Sequence, residues 1–255
     1  MTPGGLRAII SPKPRRVMRH GAICICGSPI PPLKLLGRDE TTMIDATTLT
    51  LVRHGESRWN LEGRLQGHLD SSLTATGIAQ AEATGRRLVG QRFTALYSSD
   101  LGRAHQTAEI ISEHVKLPVV PMQGLRERNL GVFQGLTWEE VERKYPQELR
   151  LYGMSAPDYV IPDGESVQQR YDRTVGCLEQ IARAHLGGSV IAVTHFGALE
   201  SLLQRTMTIP LEEPRHFNLW NGSLNVFFYE DETWILGTWG DVAHLAGIGA
   251  LDEGD

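Results

Sequence analysis

The chain has 255 residues, 41% hydrophobic and 22% charged, enough for one sizeable α/β core and without the run of roughly 20 apolar residues that a membrane span requires. Its net charge of −5 is unevenly spread: residues 1–38 hold seven Lys or Arg and no acid, leaving 18 basic against 30 acidic residues, a net −12, in the rest. An acidic body disfavours nonspecific binding to nucleic acid, so arginines that serve an anionic substrate must be gathered locally.

Residues 1–46 carry six of the thirteen prolines and no helical or strand period. Three readings are open for this segment: a disordered extension, a basic targeting segment, or a start at Met43 that leads directly into the first strand. Residues 47–255 are expected to form one domain. The three cysteines, Cys24, Cys26 and Cys177, are odd in number and lack framework spacing, which fits a reducing, cytoplasmic setting. Cys24-Ile25-Cys26 lacks the two further ligands that a metal site needs.

From Thr47 the pattern becomes regular. TLTLV predicts a strand, and Asn60–Ser72 a polar loop. Thr74–Val89 predicts a helix with a threonine cap and with Ile78, Ala81 and Leu88 on its apolar face. Phe93–Tyr97 reads as a strand. Ser98-Ser99-Asp100 then offers cap oxygens to a helix with Leu101, Ala104, Ala108, Ile111 and Val115 on one face. A short strand at Leu117–Val120 and a loop at Met122–Gly135 follow. Thr137–Tyr145 predicts a helix with a Thr137/Glu140 capping box, ended by Pro146. Ser155–Gly164 reads as a surface loop. Glu165–His185 predicts a long helix with Val167, Tyr171, Val175, Leu178 and Ala182 on one stripe, closed by Gly187-Gly188. SVIAVT, residues 189–194, is a continuous apolar strand of the buried parallel type. Phe196–Gln204 predicts a helix, and Ser223–Tyr229 with Thr233–Thr238 a terminal hairpin, whose edge offers a surface for homodimerisation. Strands alternating with helices imply an α/β fold with a mainly parallel sheet covered on both faces.

Five residues stand where strands or helix starts meet loops: Arg53, His54, Arg103, Glu127 and His195. The first strand ends in Arg53-His54-Gly55-Glu56, where glycine permits a tight turn, and the apolar strand ends in His195. In a parallel sheet both histidines emerge at the carboxyl edge, where open α/β folds place their sites. Arg103 lies in the first turn of its helix and can face an anion there. Two imidazoles, two guanidiniums and a carboxylate suit phosphoryl transfer: arginines clamp phosphoryl oxygens, an imidazole attacks phosphorus, and a carboxyl group serves the leaving oxygen. Glu56 is expected to brace the turn, and the remaining histidines to be structural.

LVRHGESRWN, GRLQGHLDSSLTATGIAQA, YSSDLGRAHQTAE, LRERNLGVFQG, PDGES and VTHFGAL, in that order from about Thr47 to His244, resemble the histidine phosphatase superfamily in its phosphoglycerate-mutase-like branch. The resemblance implies a three-layer αβα sandwich and a phosphohistidine formed on His54. Arg53 and Arg103 then bind the phosphoryl group, His195 hydrogen-bonds it, and Glu127 is the general acid and then the base. Asn60 and Gln66 match polar positions of the phosphate pocket. No metal or cofactor is implied, and the partner is a small phosphorylated metabolite. One departure is Phe196, where the family usually has a small residue; it is expected to narrow the pocket or pack behind it, and so to mark a particular substrate.

The span from Trp138 to Gly164 holds no extended Pro-rich lid, and the tail after His244 is short. Both favour phosphomonoester hydrolysis. The alternatives are a cofactor-dependent phosphoglycerate mutase and, from another class, an inactive phosphate-binding member.

Overall fold

Strand β1, Thr47–Arg53, is the inner strand from which the sheet is built. The structure, a computed structural model, describes residues 46–154 and 156–248. The expectations placed on the segment before Ala46, including Cys24 and Cys26, lie outside them. Among the described residues no helix is long and apolar enough to cross a membrane.

Along the chain β1 is followed by α1 (Arg58–Leu61), α2 (Ala75–Leu88), β2 (Ala95–Ser98), α3 (Gly102–Val115) and β3 (Val119–Pro121). Then come α4 (Trp138–Lys144), α5 (Pro146–Gly153), α6 (Val167–Ala184), β4 (Ser189–Thr194), α7 (Phe196–Met207), β5 (Leu224–Glu230) and β6 (Thr233–Asp241). The sheet has the order β3-β2-β4-β1-β5-β6. β3, β2, β4 and β1 run parallel, and β5 and β6 are antiparallel to their neighbours. This is the α/β architecture, with a mainly parallel central sheet, that the alternation of elements predicts.

Residues alternating along the strands face two separate cores. Leu49 and Leu51 of β1, with Val190 and Ala192 of β4, pack under α6 and α7 through Leu178, Ile181, Leu199 and Leu202. Val52, Ile191 and Val193 face the other way, onto Leu88 of α2 and Ala104, Ala108 and Ile111 of α3. A period of two on a sheet buried on both sides therefore reads as a continuous apolar run. A third cluster, Leu65, Phe133, Val141 and Ile161, lies under α4 and α5.

Several expectations need correcting. Asn60–Ser72 is not wholly a loop: Asn60 belongs to the short α1, whose cap Ser57 forms a capping box with Asn60 itself. Pro146 does not merely follow a helix but opens α5 at its first turn, where a missing N–H costs nothing. Ile78 is exposed, and α2 instead buries Gln80, Ala81, Thr84 and Leu88. On α6 the buried stripe runs through Arg170, Thr174, Val175, Leu178 and Ala182 rather than Tyr171, because Arg170 reaches inward to Glu200. β2 and β3 sit one or two residues further on than their apolar runs suggest. The capping boxes at Thr137 of α4 and Ser166 of α6 form as local patterns of this kind do.

Candidate active site

The register of β1 on β4 builds the centre of the site. Arg53 pairs with Thr194, so the next residue of each strand is a histidine, and the His54 N–H donates to the Thr194 carbonyl at 2.9 Å. The two imidazoles lie 5.1 Å apart between ring centroids, tilted by 58°. Both are buried.

His54 is held in one tautomer. Its Nδ1 lies 2.8 Å from the carbonyl oxygen of Gly55, which can only accept, so Nδ1 carries the proton and Nε2 the lone pair. Arg103 Nε donates to Nε2 at 3.3 Å. The Asn221 side chain donates to the His54 carbonyl at 2.9 Å and fixes the backbone. Burial, then the charges of Arg103 and Arg53, push His54 well below the ordinary histidine range, so the ring is neutral at pH 7. Gly55 does not occupy a left-handed conformation. A side chain there would meet the carbonyl oxygen of Gly77 at 2.4 Å, so its requirement is close packing on α2 rather than turn geometry.

Arg103 comes from the first turn of α3, as its spacing predicts, but the helix start is made differently. Leu101 is the cap residue and contributes no side-chain hydrogen bond. Asp70, from the loop before α2, supplies the oxygens: it accepts from the N–H groups of Gly102 and Arg103, and pairs with the Arg103 guanidinium at 2.8 Å. Arg103 also donates to the carbonyls of Gly67 at 2.9 Å and Leu69 at 3.0 Å. A buried guanidinium is thus fixed by several acceptors.

Arg53 is buried, donates to the Leu219 carbonyl, and lies 5.5 Å from the centroid of the Phe196 ring. Phe196 does not disturb the strand-to-helix turn. It is the first residue of α7, packs parallel to Phe217 with centroids 6.1 Å apart, and has the Arg215 guanidinium 3.8 Å from its ring centre. Its ring therefore lies within cation–π distance of two guanidiniums.

His195 is pushed well below the ordinary range by burial first and then by Arg103, His54 and Arg53. Its Nε2 lies 2.8 Å from Ser99 Oγ, and its Nδ1 is buried without a hydrogen-bond partner. Glu127 reaches the start of α7: one carboxylate oxygen accepts the Gly197 N–H at 2.9 Å, and the other accepts the Arg128 N–H at 2.7 Å. Any Cβ at Gly197 would lie 2.2 Å from that carboxylate and 2.6 Å from Arg170, so glycine makes the approach of Glu127 possible. The backbone carbonyl of Glu127 accepts from His68 at 2.9 Å and Arg173 at 3.1 Å.

Asn60 and Gln66 are buried and share one partner. The side-chain oxygens of both meet the Ser57 hydroxyl, at 2.9 and 3.0 Å. Glu56 braces the turn as expected, accepting from the Thr74 hydroxyl at 2.5 Å while its N–H donates to Gln80. The sequence reading missed Asp70, Ser99, Asn221 and His68. Ser99 reads as a helix cap and His68 as a structural histidine; Ser99, His68 and Asp70 all lie within the quoted motifs, but their partners, like that of Asn221, are distant along the chain.

The described residues contain no group of three or more His, Cys, Asp or Glu side chains placed to hold a metal ion. The arrangement offers an imidazole lone pair beside two cations, a second neutral imidazole, and a carboxylate at a helix start. That set can accept a phosphoryl group on nitrogen, stabilise its charge and exchange a proton.

A family model described as the histidine phosphatase superfamily, branch 1, matches residues 49–242. A metal-independent phosphoserine phosphatase of Arabidopsis thaliana is 41% identical over 213 residues, 82% of this chain and 88% of the relative. A probable phosphoglycerate mutase GpmB of Yersinia pestis (strain Pestoides F) is 36% identical over 208 residues, 80% of this chain and 96% of the relative. Among solved structures, Bacillus stearothermophilus YhfR superposes with a TM-score of 0.72 at 33% identity, covering 78% of this chain and 99% of YhfR.

Proposed function

The chain belongs to the histidine phosphatase superfamily, branch 1, and is a phosphatase acting through phosphohistidine; we propose which of its residues carry each step. His54 Nε2 attacks phosphorus as the bond from phosphorus to the leaving oxygen breaks. Glu127 gives that oxygen its proton, and the alcohol departs. In the second displacement Glu127 takes a proton from water, the water oxygen attacks the phosphohistidine, the nitrogen–phosphorus bond breaks, and inorganic phosphate leaves. Arg53 and Arg103 hold the phosphoryl oxygens, an incoming oxygen taking over the contact that Arg103 Nε makes with His54. His195 binds the same group, and Asn60 and Gln66 border the pocket through their network on Ser57.

One observation carries this reading. The Gly55 carbonyl fixes the proton on Nδ1 and so leaves the nucleophilic lone pair on Nε2, facing Arg103. The substrate class is a small phosphorylated metabolite, and the relative named for phosphoserine makes that ester the first to assay. The relative named a probable phosphoglycerate mutase supports a second reading. Among its described residues the span from Trp138 to Gly164 holds the two short helices α4 and α5, not the long basic insertion that the family resemblance implies for a cofactor-dependent mutase, and this favours hydrolysis.

Replacing His54 with Ala should lower phosphate release from phosphoserine and p-nitrophenyl phosphate by roughly a thousandfold or more, and abolish the acid-labile phosphoenzyme in quenched reactions. A His54→Ala enzyme that still turns over would sink the assignment. Conversion of one phosphoglycerate to the other, in the presence of bisphosphoglycerate and without phosphate release, would replace hydrolase with mutase.

We further infer one domain over residues 47–255, a cytoplasmic setting from the cysteine count, and no affinity for nucleic acid. The edge strand β6 is the surface on which a homodimer would pair, and sedimentation equilibrium would measure it.

A further inference from the structure

We propose that Ser99 is a positioning residue that fixes the tautomer of His195, so that His195 presents a neutral Nδ1–H to the transferred phosphoryl group. The inference rests on the assignment of this site to phosphoryl transfer and extends it to a residue outside the expected set.

Ser99 is fully buried. Its backbone N–H donates to the Val193 carbonyl at 2.9 Å, which ties it to β4 two residues before His195. The Ser98 hydroxyl donates to the Ser99 carbonyl at 2.8 Å. The residue is therefore held on both sides of its peptide, and its side chain is delivered to His195 by backbone structure. Ser99 Oγ has two partners: the Leu101 N–H, which donates to it at 3.3 Å, and His195 Nε2 at 2.8 Å.

A hydroxyl has one proton and two lone pairs. The Leu101 N–H uses a lone pair. If Nε2 carried the ring proton, it would use the second lone pair and leave the buried hydroxyl proton without an acceptor. The partnerless Nδ1 lone pair would be left over as well, so that tautomer strands two buried polar atoms where the other strands one. If Nε2 is instead the acceptor, the hydroxyl proton is satisfied and Nδ1 carries the ring proton. The second arrangement leaves one unmet donor, His195 Nδ1, which is buried and without a partner. That donor belongs to a ring 5.1 Å from the His54 ring, in a cluster with Arg53 and Arg103.

An unmet buried donor at a phosphoryl site has a use. The equatorial oxygens of the transferred group gain no new covalent partner; they need fixed donors. A neutral N–H set by a neighbouring hydroxyl can act without a proton being taken up or released. The opposite tautomer would turn a lone pair toward the phosphoryl oxygens and repel them. Ser99 thus does for His195 what the Gly55 carbonyl does for His54, and the two rings are set in opposite senses: nucleophilic Nε2 on one, donating Nδ1–H on the other.

The test uses the full chain and has two readouts. Two-bond 1H–15N correlation spectra of the wild-type protein report the tautomer of each histidine without any substrate, with His195 identified by the signals lost in a His195→Asn protein. The expectation is Nδ1–H for His195; an Nε2–H tautomer there overturns the proposal whatever the kinetics. In Ser99→Ala, kcat should fall about 10- to 100-fold with KM nearly unchanged, orthovanadate should bind correspondingly less tightly, and the His195 signals should show the second tautomer populated. A folded Ser99→Ala protein that keeps wild-type kcat and a pure Nδ1–H tautomer removes Ser99 from this role. If Ser99→Ala does not fold, the wild-type spectrum alone decides. The spectrum does not depend on which residue is the nucleophile. Activity surviving in His54→Ala would therefore refute the site assignment, whereas a wrong tautomer would refute only the role of Ser99.

Discussion

Phe196 illustrates how one side chain acquires a role that its position along the chain does not declare. As the residue after His195 it is expected to shape the pocket, and its replacement by Gly to alter substrate preference more than phosphate affinity. The structure buries the ring against Phe217, with Arg215 over its centre and Arg53 at 5.5 Å. Removing it deletes a core aromatic that packs beside Arg53, an arginine proposed to hold phosphate. Phe196→Gly should therefore lower stability by about 3–5 kcal/mol, as large-to-small aromatic substitutions in cores do, and should weaken phosphate as well as ester binding. Urea unfolding and inhibition by inorganic phosphate measure the two effects. A variant with native stability and altered ester preference alone would restore the simpler specificity role.

Helix α3 shows the same lesson for an element. Its apolar spacing predicts its course correctly, and Ala104, Ala108 and Ile111 are buried as expected. Its start, however, is not capped from within the Ser98-Ser99-Asp100 triplet. Ser99 turns to His195, and Asp100 pairs with Arg126 through two hydrogen bonds of 2.6 and 2.5 Å. The carboxylate of Asp70, 32 residues before Gly102, satisfies the helix N–H groups and fixes the Arg103 guanidinium at once. Asp70→Ala should thus lose about 1 kcal/mol from the helix start and reduce kcat/KM about 10- to 100-fold by freeing Arg103. Thermal unfolding together with initial rates would show both losses. Unchanged rates in a destabilised variant would confine Asp70 to the helix.

At the scale of the whole molecule, the site is a cost that the fold carries. Arg53, His54, Arg103 and His195 are all buried, beside two apolar cores that supply the compensating stability. Burial holds His54 and His195 well below the ordinary histidine range, and His68 and His244 are lowered in the same direction, again by burial first. For a group whose folded pKa is depressed, the unfolded chain binds more protons once pH drops below the unfolded value, about 6.5 for histidine. Stability is therefore fully present above that value and falls as pH decreases toward the folded pKa, by up to about 1.4 kcal/mol per pH unit for each fully buried histidine. The urea midpoint should move down between about pH 7.5 and about pH 5.5, and the shift should shrink in a His54→Asn protein. A midpoint that stays constant would mean that these rings titrate in the folded protein as they do in water.

Period and punctuation alone determined much of this protein. Apolar alternation in TLTLV, the continuous apolar run of SVIAVT, the 3.6-residue spacing of the α3 and α6 faces, and two histidines at two strand ends together imply a parallel sheet with both imidazoles at one edge, and the register of β1 on β4 places them there. These features are local, and local chemistry is legible in order along the chain. What only the tertiary structure decided is partnership across distance. Asp70 caps α3, Ser99 meets His195, Glu127 reaches the Gly197 N–H, and Arg170 leaves solvent for Glu200. A short polar side chain satisfies either a nearby backbone group or a distant one at similar energy. Which it chooses depends on what folding brings within about 3 Å, and no spacing in the sequence carries that information.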